Sequence, residues 1–125
     1  MFTENIKILM ASGSVKNISE IKAGDWVKTI SGDKKVISVS QGKDFFSKFI
    51  LSDGSKFLVS DAQKFLTPEK TWISVSKIKE GTLLRLPGNK SVKVIDITSI
   101  QSMEGYNLVV EDDGSYIISN GLSCK

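Results

Sequence analysis

The chain contains no histidine. That excludes every Ser-His, Cys-His or His-metal centre built from its own residues alone, and removes the side chain best suited to moving protons near neutral pH. Cysteine is almost as scarce. Cys124 stands alone, so there is no internal disulfide framework, which fits a reduced or redox-neutral compartment. No apolar run approaches the roughly 18 residues that a membrane-spanning helix needs, so no membrane partner is expected. The opening residues Met1-Phe2-Thr3-Glu4-Asn5 carry an acid where a secretory leader carries bases, and no signal peptide is expected. Helical amphipathicity is missing over any window longer than about ten residues, which excludes a helical bundle. Charge of one sign is nowhere concentrated: Lys+Arg total 17 against 14 for Asp+Glu, a net of +3. The longest basic run is Lys34-Lys35, and Arg85 is the only arginine. Without a basic stripe interleaved with stacking aromatics, the lysines read as solvated surface and nucleic acid is not an expected partner.

What the chain does have is an internal repeat. At an offset of 57 positions, Leu9, Ser19, Ile21, Lys22 and Gly24 meet the identical Leu66, Ser76, Ile78, Lys79 and Gly81. Apolar positions meet apolar ones: Ile8 with Phe65, Val15 with Trp72, Ile18 with Val75, Trp26 with Leu83, Val27 with Leu84. A second pair, Asp53-Gly54-Ser55 and Asp113-Gly114-Ser115, continues the match at a slightly different offset. The two copies cover about residues 6–60 and 63–120 of a chain long enough for one domain, 1–125. Two copies are too few for an open solenoid, which generally needs about three. Their apolar faces are expected to close on each other in a pseudo-two-fold domain.

The segments alternate, or run apolar briefly, between turn residues, which is the signature of strands and hairpins. The expected strands are Ile6–Met10, Trp26–Ile30, Lys35–Ser40, Phe45–Leu51, Lys56–Ser60, Trp72–Ser74, Leu83–Leu86, Ser91–Ser99, Tyr106–Val110 and Tyr116–Ser119. Ser31-Gly32-Asp33, Asp53-Gly54, Pro87-Gly88-Asn89 and Asp113-Gly114 supply turns. Ile18 to Ile21 and Val75 to Ile78 space apolar residues three apart, as in a single helical or 3₁₀ turn, and Gly24 or Gly81 then ends it in a left-handed conformation. The fold class is all-β.

Several residues invite a functional reading, and each has a structural one beside it. Asp25 could be a functional acid, but its counterpart is Thr82, and a hydrogen bond closing the turn explains both. Trp26 and Trp72 could form a ligand platform, yet each matches an apolar residue in the other copy, which points to the core. Glu111, Asp112 and Asp113 could attract a cation, but three consecutive side chains in a hairpin diverge, so no metal is expected. Asn120-Gly121 is the most labile asparagine site and also a strong hairpin signal, and it is read as a turn. Cys124 is the one good nucleophile. It could form a thioester or an intermolecular disulfide, with Lys125 lowering its pKa, or be an inconsequential terminal thiol.

The pattern I-L-M-x-x-G-S-V-K-x-I-x-x-I-K-x-G-D-W-V, then L-S-D-G-S-K-F-x-V-S and W-I-x-V-x-x-I-K-x-G, resembles the Hint domain shared by inteins and hedgehog autoprocessing domains. The resemblance runs over nearly the whole chain and is most specific from Ile8 to Val27. It implies a pseudo-two-fold all-β horseshoe. It also implies a chemistry: a first-position Cys or Ser that attacks the preceding carbonyl, a Thr-x-x-His block, and a closing His-Asn pair. Carried over, the first position is Met1, whose thioether has no proton to lose. The block falls on Ser60-Asp61-Ala62-Gln63, with Gln63 unable to exchange protons where the family has histidine. The late block falls near Asn107 and Ser115, and the closing pair at or just beyond Cys124-Lys125.

The reactive positions are thus expected to be lost while the fold is kept, by natural degeneracy rather than by deliberate trapping. If Met1 is the initiator and Lys125 the natural end, the chain also lacks flanking substrate. These readings converge on a catalytically inactive Hint-fold domain without cofactor, used as a structural or protein-binding module. Its partner is another protein, docked through the Phe45-Phe46 region, or a second copy of the chain. Its setting is cytoplasmic or a larger assembly such as a virion. The alternative is a self-processing domain whose nucleophile lies in a longer precursor or at Cys124.

Overall fold

The short apolar stretches and their turn residues form eleven strands and two 3₁₀ turns, with no α-helix. The computed structural model describes every residue from Met1 to Lys125. The first half contains β1 (Lys7–Leu9), β2 (Val15–Asn17), a 3₁₀ turn (Ile18–Glu20), β3 (Trp26–Thr29), β4 (Gly32–Leu51) and β5 (Lys56–Ser60). The second half repeats the order: β6 (Lys64–Leu66), β7 (Trp72–Ser74), a 3₁₀ turn (Val75–Lys77), β8 (Leu83–Leu86) and β9 (Lys90–Val110). Two short strands close it, β10 (Tyr116–Ile117) and β11 (Ser123–Cys124).

The sequence repeat reappears as repeated hydrogen bonding. Ile8 pairs with Lys16 in the first copy and Phe65 with Ile73 in the second. The Ile18 amide donates to the Ile6 carbonyl at 2.9 Å, and the Val75 amide to that of Gln63 at 2.8 Å. Each 3₁₀ turn is closed as expected, with the Lys22 amide donating to Asp25 Oδ2 at 3.0 Å and the Lys79 amide to Thr82 Oγ1 at 3.1 Å. A carboxylate and a hydroxyl do the same work because each needs only to accept one orphan N–H. Gly24 and Gly81 follow at φ 95° and 92°, where a side chain would be strained.

The strands form three sheets: β1-β2; β10-β11-β6-β7; and β3-β4-β9-β8 with β5 also on β4. The antiparallel β4–β9 ribbon joins the halves, from Val36 opposite Val110 to Leu51 opposite Val94. Inward residues of both halves share one core, including Ile8, Ile18, Val27, Phe49 and Val59 from the first and Phe65, Val75, Leu84, Val94 and Ile118 from the second. Phe2 is part of it, with its ring centroid 6.2 to 6.4 Å from those of Phe57, Phe65 and Tyr116. Burying a phenylalanine is worth about 2–3 kcal/mol, which anchors the N-terminal segment. Paired amide–carbonyl bonds of 2.8 Å between Phe2 and Tyr106 then hold that segment against β9.

Several expectations require correction. Lys35–Ser40 and Phe45–Leu51 are one strand, as are Ser91–Ser99 and Tyr106–Val110, because the polar intervals pair with each other, Gly42 facing Gly105. β2, β6 and β11 were not expected at all; each is two or three residues long, too short to show a period. Strand pairing in the last hairpin stops at Ile117 rather than Ser119. Trp26 is not core: it is 49% exposed, with Lys35 Nζ 5.8 Å from its ring centroid. Its counterpart Leu83 is also exposed. In each copy the neighbouring residue, Val27 or Leu84, takes the inward side of the strand. Phe46 is buried, and its ring packs where Gly105 has no side chain.

Candidate functional site

Five of the positions singled out by the resemblance come together. Met1, Ser60, Gln63, Asn107 and Lys125 line one cleft of about 450 Å³, with Asp113 at its rim. Each arrives by a separate route. Phe2 seats Met1, whose carbonyl accepts from the Ser60 amide at 2.9 Å. Ser60 ends β5 and Gln63 closes the turn after it, its amide donating to the Ser60 carbonyl at 3.1 Å. Asn107 comes from β9, and Lys125 from a reciprocal pair of 3.0 Å backbone bonds with Lys64. Lys125 Nζ lies 4.6 Å from the centre of the half-buried Trp72 ring.

Several polar groups of the cleft are paired with one another. The Met1 α-amino nitrogen donates to Ser60 Oγ at 2.7 Å and also to Gln63 Oε1. Ser60 is 0% exposed and Gln63 2%. Gln63 Nε2 is the one buried side-chain polar atom left without a hydrogen-bond partner. The Tyr116 hydroxyl donates to Asn107 Oδ1 at 2.6 Å. Burial pulls the α-ammonium of Met1 down to about 6, although the charge of Asp44 pushes it the other way. Burial raises the Tyr116 phenol well above its ordinary value.

Cys124 does not behave as a terminal thiol. It is 0% exposed, in a strand between Tyr116 and Phe65, with Sγ 3.6 Å from the Tyr116 carbonyl. Burial raises its pKa strongly; Tyr116 acts in the other direction, and Lys125 does not. A neutral, enclosed thiol is a poor nucleophile.

The remaining candidates lie elsewhere. Ser115 is buried and donates to Asp113 Oδ1 at 2.8 Å, the same turn that Ser55 makes with Asp53. Glu111 accepts from the Lys35 amide at 2.9 Å and Asp112 pairs with Lys34 at 2.7 Å, so with Asp113 turned to Ser115 the three acids diverge. Asn120-Gly121 is a turn, with Asn120 Oδ1 accepting from the Leu122 amide at 3.2 Å and Gly121 at φ 97°. One residue hydrogen-bonded into the site was not anticipated, Tyr116. For Tyr116 the available signal was an asymmetry between the copies, since the matching position after Asp53-Gly54-Ser55 is Lys56.

No protein-family model matches the sequence, and no curated protein matches it. The structure is similar to that of the gp41-1 intein, with a TM-score of 0.84 and 23% identity over 98% of this chain and 94% of that one. It is also similar to the MchDnaB-1 intein, at a TM-score of 0.80 and 12% identity over 99% and 98%. A third similar structure, at a TM-score of 0.79 and 12% identity over 98% of each chain, is the Msm DnaB1 intein splicing domain bound with zinc. These likenesses establish the expected all-β, intein-like Hint fold from end to end. At such identities they speak to the fold alone.

Proposed function

We propose that this chain is a catalytically silent Hint-fold domain that works as a structural or protein-binding module within a larger assembly. One observation carries the reading: where the resemblance calls for a nucleophile and a proton carrier stand Met1 and Gln63, with the Met1 amine hydrogen-bonded to Gln63 and Ser60. Methionine offers no group to accept an acyl chain, and a glutamine amide does not titrate near neutral pH. The only thiol is sealed and held neutral.

Support for a binding role comes from the β4–β9 ribbon and its surroundings, which expose Phe45 (65%) with Ile37, Ile95 and Ile100. Phe45 and Ile100 line one shallow pocket on this ribbon, and neighbouring exposed apolar side chains of this kind suit a contact surface. Light scattering across a concentration series tests self-association, and affinity capture tests a foreign partner. The expected result is a stable complex that Phe45→Ser abolishes while leaving the fold intact. A strictly monomeric chain that captures nothing overturns the binding role.

A further inference from the structure

We propose that Lys70, Arg85 and Lys90 form a binding site for the phosphate group of a small organic phosphate ester. Arg85 projects from β8 and lines two adjoining clefts, and Lys70 lines both. The smaller, of about 120 Å³, is completed by Pro68, Asn89, Lys90 and Ser91. Its polar lining is rich in donors, with three cations, an amide and a hydroxyl, and neither cleft is lined by a carboxylate. The ion pairs of the chain, Lys16–Asp25, Lys28–Asp33 and Lys34–Asp112, lie elsewhere. Three cationic residues around one small cleft with no carboxylate in its lining make it complementary to a phosphate dianion. Its oxygens match the planar fork of a guanidinium and the point charges of two ammonium groups.

The internal repeat supplies an independent observation. Lys70 occupies the position held by Gly13 in the first copy. The Gly13 amide donates to the Met10 carbonyl at 2.9 Å, and the Lys70 amide to that of Thr67 at 2.9 Å. Both residues have positive φ, 91° for Gly13 and 66° for Lys70. A lysine in that conformation is strained where glycine is not. The second copy therefore keeps a cationic side chain at this cleft against the preference of its own backbone, which is the pattern of strain held for a functional reason.

The larger cleft, of about 400 Å³, adds Ile30, Leu86, Pro87 and Ile117 beside Thr29 and Ser123. It shares Lys70 and Arg85 with the smaller one, so a ligand with its phosphate in the polar cleft has a partly apolar shelf for its organic body. That composition selects a phosphate ester over inorganic phosphate. This site is distinct from the cleft around Met1 and stands whether or not the proposed protein partner exists.

The test is a titration of the ¹⁵N-labelled chain with phenyl phosphate, with inorganic phosphate and with a single-stranded oligonucleotide, all at one ionic strength. Saturable binding is expected, tighter for phenyl phosphate than for inorganic phosphate, with shifts centred on residues 68–71 and 85–91. Arg85→Ala is expected to weaken it by about tenfold or more, as for loss of a charged hydrogen-bonding partner. Lys70→Gly is expected to weaken it while raising the melting temperature, so a loss of binding there is not a loss of fold. Lys48→Ala, on β4, is the control and leaves the affinity unchanged. Non-saturating shifts spread over many lysines overturn the proposal, as does undiminished binding by Arg85→Ala and Lys70→Gly. Tighter binding of the oligonucleotide than of phenyl phosphate overturns the assignment to a small ligand.

Discussion

An amino group costs more to bury charged than neutral, and Met1 shows the consequence. Its α-ammonium titrates near 6 in the folded chain against 8.0 when unperturbed. Between those values the unfolded chain binds more protons, so stability rises with pH through the interval. The contribution is complete above 8.0 and is lost as pH falls through about 6. Two pH units bound it at about 2–3 kcal/mol. Urea unfolding of the 125-residue chain on either side of the interval should show a higher midpoint on the alkaline side. Acetylating the α-amine should flatten that dependence. Cys124 makes the converse case: because the thiol is sealed and neutral, labelling by an aromatic disulfide should proceed only as fast as the chain unfolds. Labelling within seconds of mixing with native protein would show an accessible thiolate.

At the scale of elements, the approach of the N-terminal segment to the β4–β9 ribbon depends on one missing side chain. A Cβ on Gly105 would lie 2.5 Å from Phe46 Cζ and 3.0 Å from the Phe2 carbonyl oxygen. Gly105→Ala should therefore cost about 1–3 kcal/mol, as overpacking does, read as a lower urea midpoint. Since Phe2 seats Met1, the variant should also weaken the pH dependence. Gly105 shows why some elements were legible in the sequence and others were not. β5, β7 and β8 are visible residue for residue, because each has its own pattern and turn. The 3₁₀ turns and their closing by Asp25 and Thr82 were legible because the two copies solve one problem with different side chains. The long ribbon was not, since Gln41 to Asp44 looks like a turn until Met103 to Tyr106 pairs with it. Trp26 misled for a related reason: matching Leu83 shows that two positions share an environment, not that the environment is interior. Met1, Ser60, Gln63, Asn107 and Lys125 could be named from the sequence, whereas Tyr116 joins them only through the fold.

For the whole molecule, the two halves are interdependent. The ribbon strand of each pairs with that of the other, and side chains from both share one core. At the centre between them Met1 donates to Ser60 and Gln63, and Tyr116 donates to Asn107. The architecture is of the intein kind, and the function we propose leaves its middle with a packing role. The most direct measurement is the intact mass of the chain produced between two unrelated flanking segments, followed over days with and without added thiol. A single unchanged mass for the fusion is the expected result. Joined flanks, or any fragment cut at Met1 or after Lys125, would contradict the account.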